Sequence, residues 1–157
     1  MRKNGVNKNL MPILGGVCAP VGFSASAVYC GIAPKNTPFY NEEREDLGVI
    51  ISDKLVPTAC VYSANGLCGA PVSVTKKHLR SGKARAILVN SGVANLGVEK
   101  GDKEAEKVSG MLWRKLHIEA SETVIASTGA ITGVYPSDKI IEKADELIDS
   151  LRGGDAS

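Results

Sequence analysis

Twice in this chain an apolar run rich in β-branched residues leads straight into a small polar residue, a hydroxyl residue and a glycine. The two places are Ile87-Leu88-Val89-Asn90-Ser91-Gly92 and Val124-Ile125-Ala126-Ser127-Thr128-Gly129. β-Branched side chains suit a pleated strand, and glycine enters left-handed backbone that other residues avoid. The segments 84–89 and 123–126 therefore read as strands that end abruptly in tight turns. Between them Ala105, Val108, Leu112 and Leu116 fall on one helical face, so 102–116 reads as an amphipathic helix. Acidic residues open it and Arg114 and Lys115 close it, matching the macrodipole.

The rest of the chain adds elements of both kinds. The runs 47–51 and 59–62 read as strands, as does 23–32, where glycine and cysteine interrupt the alternation. Pro136 precedes Ser137, a favourable N-cap, and Ile140, Ile141, Ala144, Leu147, Ile148 and Leu151 make a broad apolar stripe that Gly153 and Gly154 end. A helical turn is expected near 76–79. Residues 34–46 combine Pro34 and Pro38 with a charge run and read as an exposed connection. Several strands followed by strand, helix, strand and helix predict a layered α/β domain, of the α+β kind.

Composition excludes several function classes. Nineteen Lys and Arg against 17 Asp and Glu give a net charge of +2, too small and too scattered for a nucleic-acid or membrane-surface footprint. No apolar run approaches the roughly 18 to 20 residues of a membrane-spanning helix, and Pro12, Gly15, Gly16 and Pro20 interrupt any secretory core near the start. Cysteines 18, 30, 60 and 68 form no CxxC pair and only two histidines are present, so no metal site is expected. The thiols read as small, mostly buried side chains in a reducing compartment, the cytoplasm.

The chemistry concentrates at the two glycine turns. A strand ending in such a turn presents backbone N–H groups with little side-chain cover, and converging amides hold negative charge. Three uses fit: a phosphate cradle, an oxyanion hole, or a plain strand ending. A phosphate loop of the Walker type needs GK followed by Ser or Thr, and Val98 and Glu99 follow Gly97 instead. His78, in a lysine-rich segment, and His117, at a helix end, read as surface histidines rather than members of a nucleophile dyad. The carboxylate pairs Glu42 with Glu43 and Asp145 with Glu146 read as solvated charges rather than an acid–base couple.

Several segments, in the same order along the chain, resemble the ornithine acetyltransferase family, the glutamate N-acetyltransferases of cyclic arginine biosynthesis. They are Gly15-Gly16-Val17-Cys18-Ala19-Pro20-Val21-Gly22-Phe23, Gly69-Ala70-Pro71-Val72, Ala86 to Gly92 with Ala94-Asn95, Ala126-Ser127-Thr128-Gly129, and Pro136 before Asp138-Lys139-Ile140. The resemblance implies an N-terminal-nucleophile-like layered sandwich completed by a second chain. It implies self-cleavage into an α chain and a β chain that begins with a nucleophilic threonine, joined as α2β2. Acetyl would pass from N2-acetylornithine through that threonine to glutamate, with acetyl-CoA a further source in some members. Thr128 and Gly129 carry over as the oxyanion hole, and no cofactor is implied.

On the same basis, 13–152 is the α-chain domain, 1–12 a flexible lead, and 153–157 a truncated or frayed end. The chain departs from the family pattern at 61–65, where Val61-Tyr62-Ser63-Ala64-Asn65 replaces a threonine-bearing segment, at 93–98, and at 130–132. It also stops before the family's cleavage threonine, so alone it is expected to be inactive and to expose apolar surface. Two other uses of the scaffold remain open: a diverged, non-catalytic binding or assembly partner, and a related aminopeptidase or amidase.

Overall fold

The structure is a computed structural model that describes residues 14–36, 44–64, 66–131 and 133–153. The expected flexible lead, Glu42, Glu43, Asn65, Thr132 and the stretch 154–157 lie outside the described residues.

Five strands form one mixed sheet: β1 (Phe23–Val28), β2 (Leu47–Pro57), β3 (Lys83–Asn90), β4 (Thr123–Ser127) and the short β5 (Arg152–Gly153). Their spatial order is β4-β3-β2-β1-β5. β1 runs antiparallel to β2 and β5, β2 antiparallel to β3, and β3 parallel to β4. The parallel pair needs a crossover, and the predicted helical segment between the two glycine turns supplies it. That segment is a series of turns: α2 (Gly101–Ser109), a 3-10 turn at Gly110–Leu112 and α3 (Trp113–Leu116). Asp102 and Glu104 sit in its first turn. The expected 23–32 strand stops at Val28, and the β2 strand runs on past a register shift between Ile51 and Val56.

Helices cover one face of the sheet. α1 (Ala70–His78) lies along β4, and α4 (Ser137–Glu142) and α5 (Ala144–Asp149) follow the predicted apolar stripe, interrupted at Lys143. Pro136 rather than Ser137 occupies the cap, and the Ser137 hydroxyl donates to Glu104 on α2. Leu47, Val49, Ile51, Ala86, Leu88 and Ile125 point from the sheet into a core that Val74, Val108, Leu112, Ile140 and Leu147 complete from the helices. On the opposite face Ile87 and Val89 are exposed, and Ala126 beside them is exposed as well. Strand alternation makes this division: one face meets the helices and the other does not.

Two expectations fail for the same reason. Residues 59–62 form no strand, and Val61 is almost wholly exposed. α1, by contrast, is far longer than the turn expected near 76–79. Val72, Val74 and Thr75 have little intrinsic helix preference, but Pro71 suits a first turn. α1 then lays Thr75 and His78 against the outer edge of β4, filling the edge that a strand at 59–62 would need. The expected exposed connection 34–46 ends in a buried residue, Asp46. Its carboxylate accepts N–H bonds from Cys30 and Ile32 at 2.6 Å each.

Candidate functional site

The two glycine turns meet. The Thr128 N–H donates to the Asn90 carbonyl at 3.1 Å, the Ala130 N–H to the Gly92 carbonyl at 3.0 Å, and the Ala94 N–H to the Ala130 carbonyl at 2.9 Å. The β3–β4 ladder thus continues beyond both strands, with Val93 and Ala130 as a further parallel bridge. Two glycines make this approach possible. Gly92 (φ +99°) lies so close to Ala33 that a Cβ would stand 2.8 Å from its backbone nitrogen, and a Cβ on Gly129 (φ +129°) would overlap the Gly92 carbonyl carbon.

Beneath the turns lies a buried polar cluster. The Ser127 hydroxyl donates to Asn90 Oδ1 at 2.5 Å, and Asn95 Nδ2 donates to the same oxygen at 3.2 Å and to Ser127 Oγ at 2.9 Å. Asn90 Nδ2 closes its own turn onto the Val93 carbonyl at 3.0 Å. Asn95 has left-handed backbone, which asparagine tolerates, and its carbonyl accepts the Ala70 N–H that starts α1. Tyr135 is buried near this cluster, and that burial pushes its phenol up to about 12. Asn90, Asn95 and Ser127 were already visible in the motifs. Tyr135, Thr75 and Asp46 carried no sequence signal, because only the fold brings them to these positions.

Thr128 and Gly129 differ from what surrounds them. Backbone alternation sends the Thr128 and Ala130 N–H groups inward to β3, so the Gly129 N–H between them points to the outer edge. Among the described residues it has no partner, and neither does the exposed Thr128 hydroxyl. The Thr128 N–H is already bonded to the Asn90 carbonyl. What remains is the hydroxyl of Thr128 and the N–H of Gly129.

The histidines separate. His117 is exposed, with its ring edge-on to Trp113 at 5.3 Å between centroids. His78, expected at the surface, is 6% exposed. Its Nδ1–H donates to the Thr123 carbonyl at 2.8 Å and its Nε2 lies 2.9 Å from Glu106 Oε2, so it ties α1 to β4 and α2. Burial alone would raise the Glu106 carboxyl, but hydrogen bonds from Lys77 (2.5 Å) and His78 outweigh it and hold the group below its usual range. The four cysteines are unpaired and half-buried, less enclosed than expected; burial, then Asp46, pushes Cys30 up to about 11. Among the described residues no three His, Cys, Asp or Glu side chains gather as a metal site, and no helix is long and apolar enough to cross a membrane.

A mixed sheet covered by helices on one face, with a strand-ending Ser-Thr-Gly turn at its edge, makes this a mixed α/β domain, and the solved structures it matches are of the ornithine acetyltransferase type. It superposes with a TM-score of 0.73 on a crystal structure of arginine biosynthesis bifunctional protein ArgJ from Bacillus halodurans, at 31% identity, covering 85% of this chain and 66% of that one. The same score relates it to an ornithine acetyltransferase complexed with ornithine from Mycobacterium tuberculosis, at 29% identity, covering 88% and 72%. The ArgJ family pattern matches residues 24–157, and the chain belongs to the ArgJ family. It is also 36% identical over 136 residues to arginine biosynthesis bifunctional protein ArgJ of Lactococcus lactis, covering 86% of this chain and 32% of that protein. The Gloeobacter violaceus protein of the same name is 36% identical over 147 residues, covering 91% and 34%. The chain thus spans about a third of the length of these curated relatives.

Proposed function

We propose that the chain is the α-chain part of an ornithine acetyltransferase-like enzyme of arginine biosynthesis. The enzyme moves acetyl from N2-acetylornithine to glutamate, and Thr128 and Gly129 serve as the oxyanion hole. The nucleophile is a threonine at the start of a β chain paired with this one in an α2β2 assembly, so this chain does not turn over substrate alone. The observation that carries the reading is a pair of donors at one turn with no partner among the described residues, the outward-facing Gly129 N–H and the exposed Thr128 hydroxyl.

The chemistry follows from those donors. Attack of the threonine hydroxyl on the acetyl carbonyl forms a C–O bond and moves the carbonyl π electrons onto oxygen, while the nucleophile's own α-amino group takes the hydroxyl proton. The oxyanion is stabilised by donors already in place, since the turn is clamped to β3 and need not reorganise. Collapse expels the ornithine amine, which takes up a proton; glutamate's amine then attacks the acetyl-threonine, and the threonine hydroxyl is regenerated. No histidine is required, in keeping with the structural duty of His78 and the exposure of His117.

The test is the product of the complete locus. Denaturing mass and N-terminal sequencing should find a threonine-initiated partner in equal amount. Thr128→Ala should then lower kcat for acetyl transfer, and turnover equal to that of the unaltered enzyme would reject the assignment. Release of acetate to water without acetylglutamate would indicate an amidase instead.

A further inference from the structure

β4 is an edge strand, held along its outer side by side chains of α1. The Thr75 hydroxyl accepts the Ile125 N–H at 2.9 Å and donates to the Ile125 carbonyl at 3.0 Å, and His78 binds the Thr123 carbonyl. At Ser127, the residue directly before Thr128 and Gly129, the hold passes to its own side chain. In the parallel register Ser127 stands opposite Asn90, and these two are the residues that precede hydroxyl and glycine in the two copies of the motif. Each copy therefore supplies one half of the link between the turns.

A count of donors and acceptors shows what this link lacks. A hydroxyl has one hydrogen and two lone pairs. Ser127 gives its hydrogen to Asn90 Oδ1 and takes one from Asn95 Nδ2, which leaves one lone pair over. Asn95 Oδ1 is buried and accepts no hydrogen bond among the described residues. The cluster is thus short of a donor, and a buried donor stands beside it. Tyr135 is 7% exposed, and its hydroxyl faces Ser127 yet has no hydrogen-bond partner among the described residues. A phenol buried without a bond costs the fold free energy that a phenyl ring would not, and such a group beneath a reactive turn calls for a role beyond packing.

We propose that Tyr135 is a positioning residue for the oxyanion donors: its hydroxyl donates to the spare lone pair of Ser127, tightens the Ser127–Asn90 link, and so holds the backbone that carries Thr128 and Gly129. Donors fixed in advance are what an oxyanion hole requires, because they need not reorganise as charge develops. The link rests on the geometry of the cluster; its bearing on catalysis rests on the acyl-transfer reading above.

The test is Tyr135→Phe in the complete enzyme, which removes one oxygen and keeps the ring. Acetylation of the threonine, followed in a single turnover, should have a saturating rate about fivefold lower at unchanged half-saturation, the ratio that corresponds to about 1 kcal/mol for one neutral hydrogen bond. Hydrogen-exchange mass spectrometry of the 124–131 segment should show the Thr128 and Ala130 amides exchanging faster by a similar factor. Ser127→Ala removes the group through which Tyr135 acts, so adding Tyr135→Phe to it should change neither quantity further. Losses that add in the double variant overturn the proposal and direct the phenol to Asn95 Oδ1. Unchanged exchange in Tyr135→Phe, or a change in half-saturation alone, overturns it even if Ser127→Ala does not fold. If exchange quickens while the saturating rate holds, Thr128→Ala separates the two readings. Turnover lowered by Thr128→Ala leaves the acyl-transfer reading standing and overturns the positioning role; turnover unchanged by it rejects that reading and leaves the link standing.

Discussion

The turns after β3 and β4 share a sequence pattern and have opposite fates. In the first, the Ser91 N–H donates to the Asp46 carbonyl at 2.8 Å, Asn90 is buried with its amide fully engaged, and Gly92 is pressed against Ala33. The Ser91 hydroxyl and the Gly92 N–H have no partner among the described residues, like their counterparts in the second turn, but Gly92 is buried against Ala33, whereas Thr128 is exposed. In the second, Ser127 is engaged below the turn, while the Thr128 hydroxyl and the Gly129 N–H are left over. The difference follows from the sheet order: β3 is flanked by β2 and β4, whereas β4 has a neighbour on one side only. An interior strand must pair both of its edges, and an edge strand can spare donors for a ligand. One copy of the pattern builds the platform on which the other copy stands.

This contrast can be broken by substitution. The largest effect is expected at the contact between the turns. Gly129→Ala places a Cβ against the Gly92 carbonyl carbon and 2.6 Å from the Val93 nitrogen, so it should cost more than about 4 kcal/mol in chemical denaturation or prevent folding. Gly129 is for that reason a poor probe of the donor. Thr128→Ala is the clean one: stability should change by less than about 0.5 kcal/mol, whereas kcat in the complete enzyme should fall about 10²-fold to 10³-fold, the usual cost of one oxyanion donor. A stability loss with unchanged kcat would make the second turn structural like the first.

Asn90→Ala should behave in the opposite way. It removes one acceptor shared by Ser127 and Asn95 and one donor to Val93, and should cost about 2 to 4 kcal/mol of stability, from lost hydrogen bonds and buried groups left unpaired. The smallest effect concerns how the edge strand is tied to the helices. Glu106 is held below its ordinary value by Lys77 and His78, so its contribution is present above the unfolded carboxyl value of 4.5 and is lost as pH falls through the folded one. Glu106→Gln should therefore lower the thermal midpoint at pH 7 and make little difference at pH 3. An equal shift at both pH values would show that charge is not what holds α2 to His78.

The candidate site was legible in part. Ser127-Thr128-Gly129 stood out as a hydroxyl and a glycine directly after an apolar run, Asn90 belonged to the other copy of that motif, and Asn95 to a segment that carries the family resemblance. Residues without local pattern were not legible. Thr75 reads as one β-branched residue among several, His78 as one basic residue in a lysine-rich stretch, and Asp46 as the last charge of a loop. Each acquires its duty from a partner that lies 14 to 50 residues away in the chain. The run 59–62 is the converse case: its residues prefer strand, but no free edge was available to it.

Local physics determined where the chain runs as strand, where helical period sets in, and where glycine lets it turn, since periodicity and backbone freedom belong to neighbouring residues. The resemblance carried by those motifs was also present in the sequence alone. Only the tertiary structure decided which turn is buried as scaffold and which is left exposed, because that depends on strand order. Strand order is set by burial and pairing between distant segments, and no local preference encodes it.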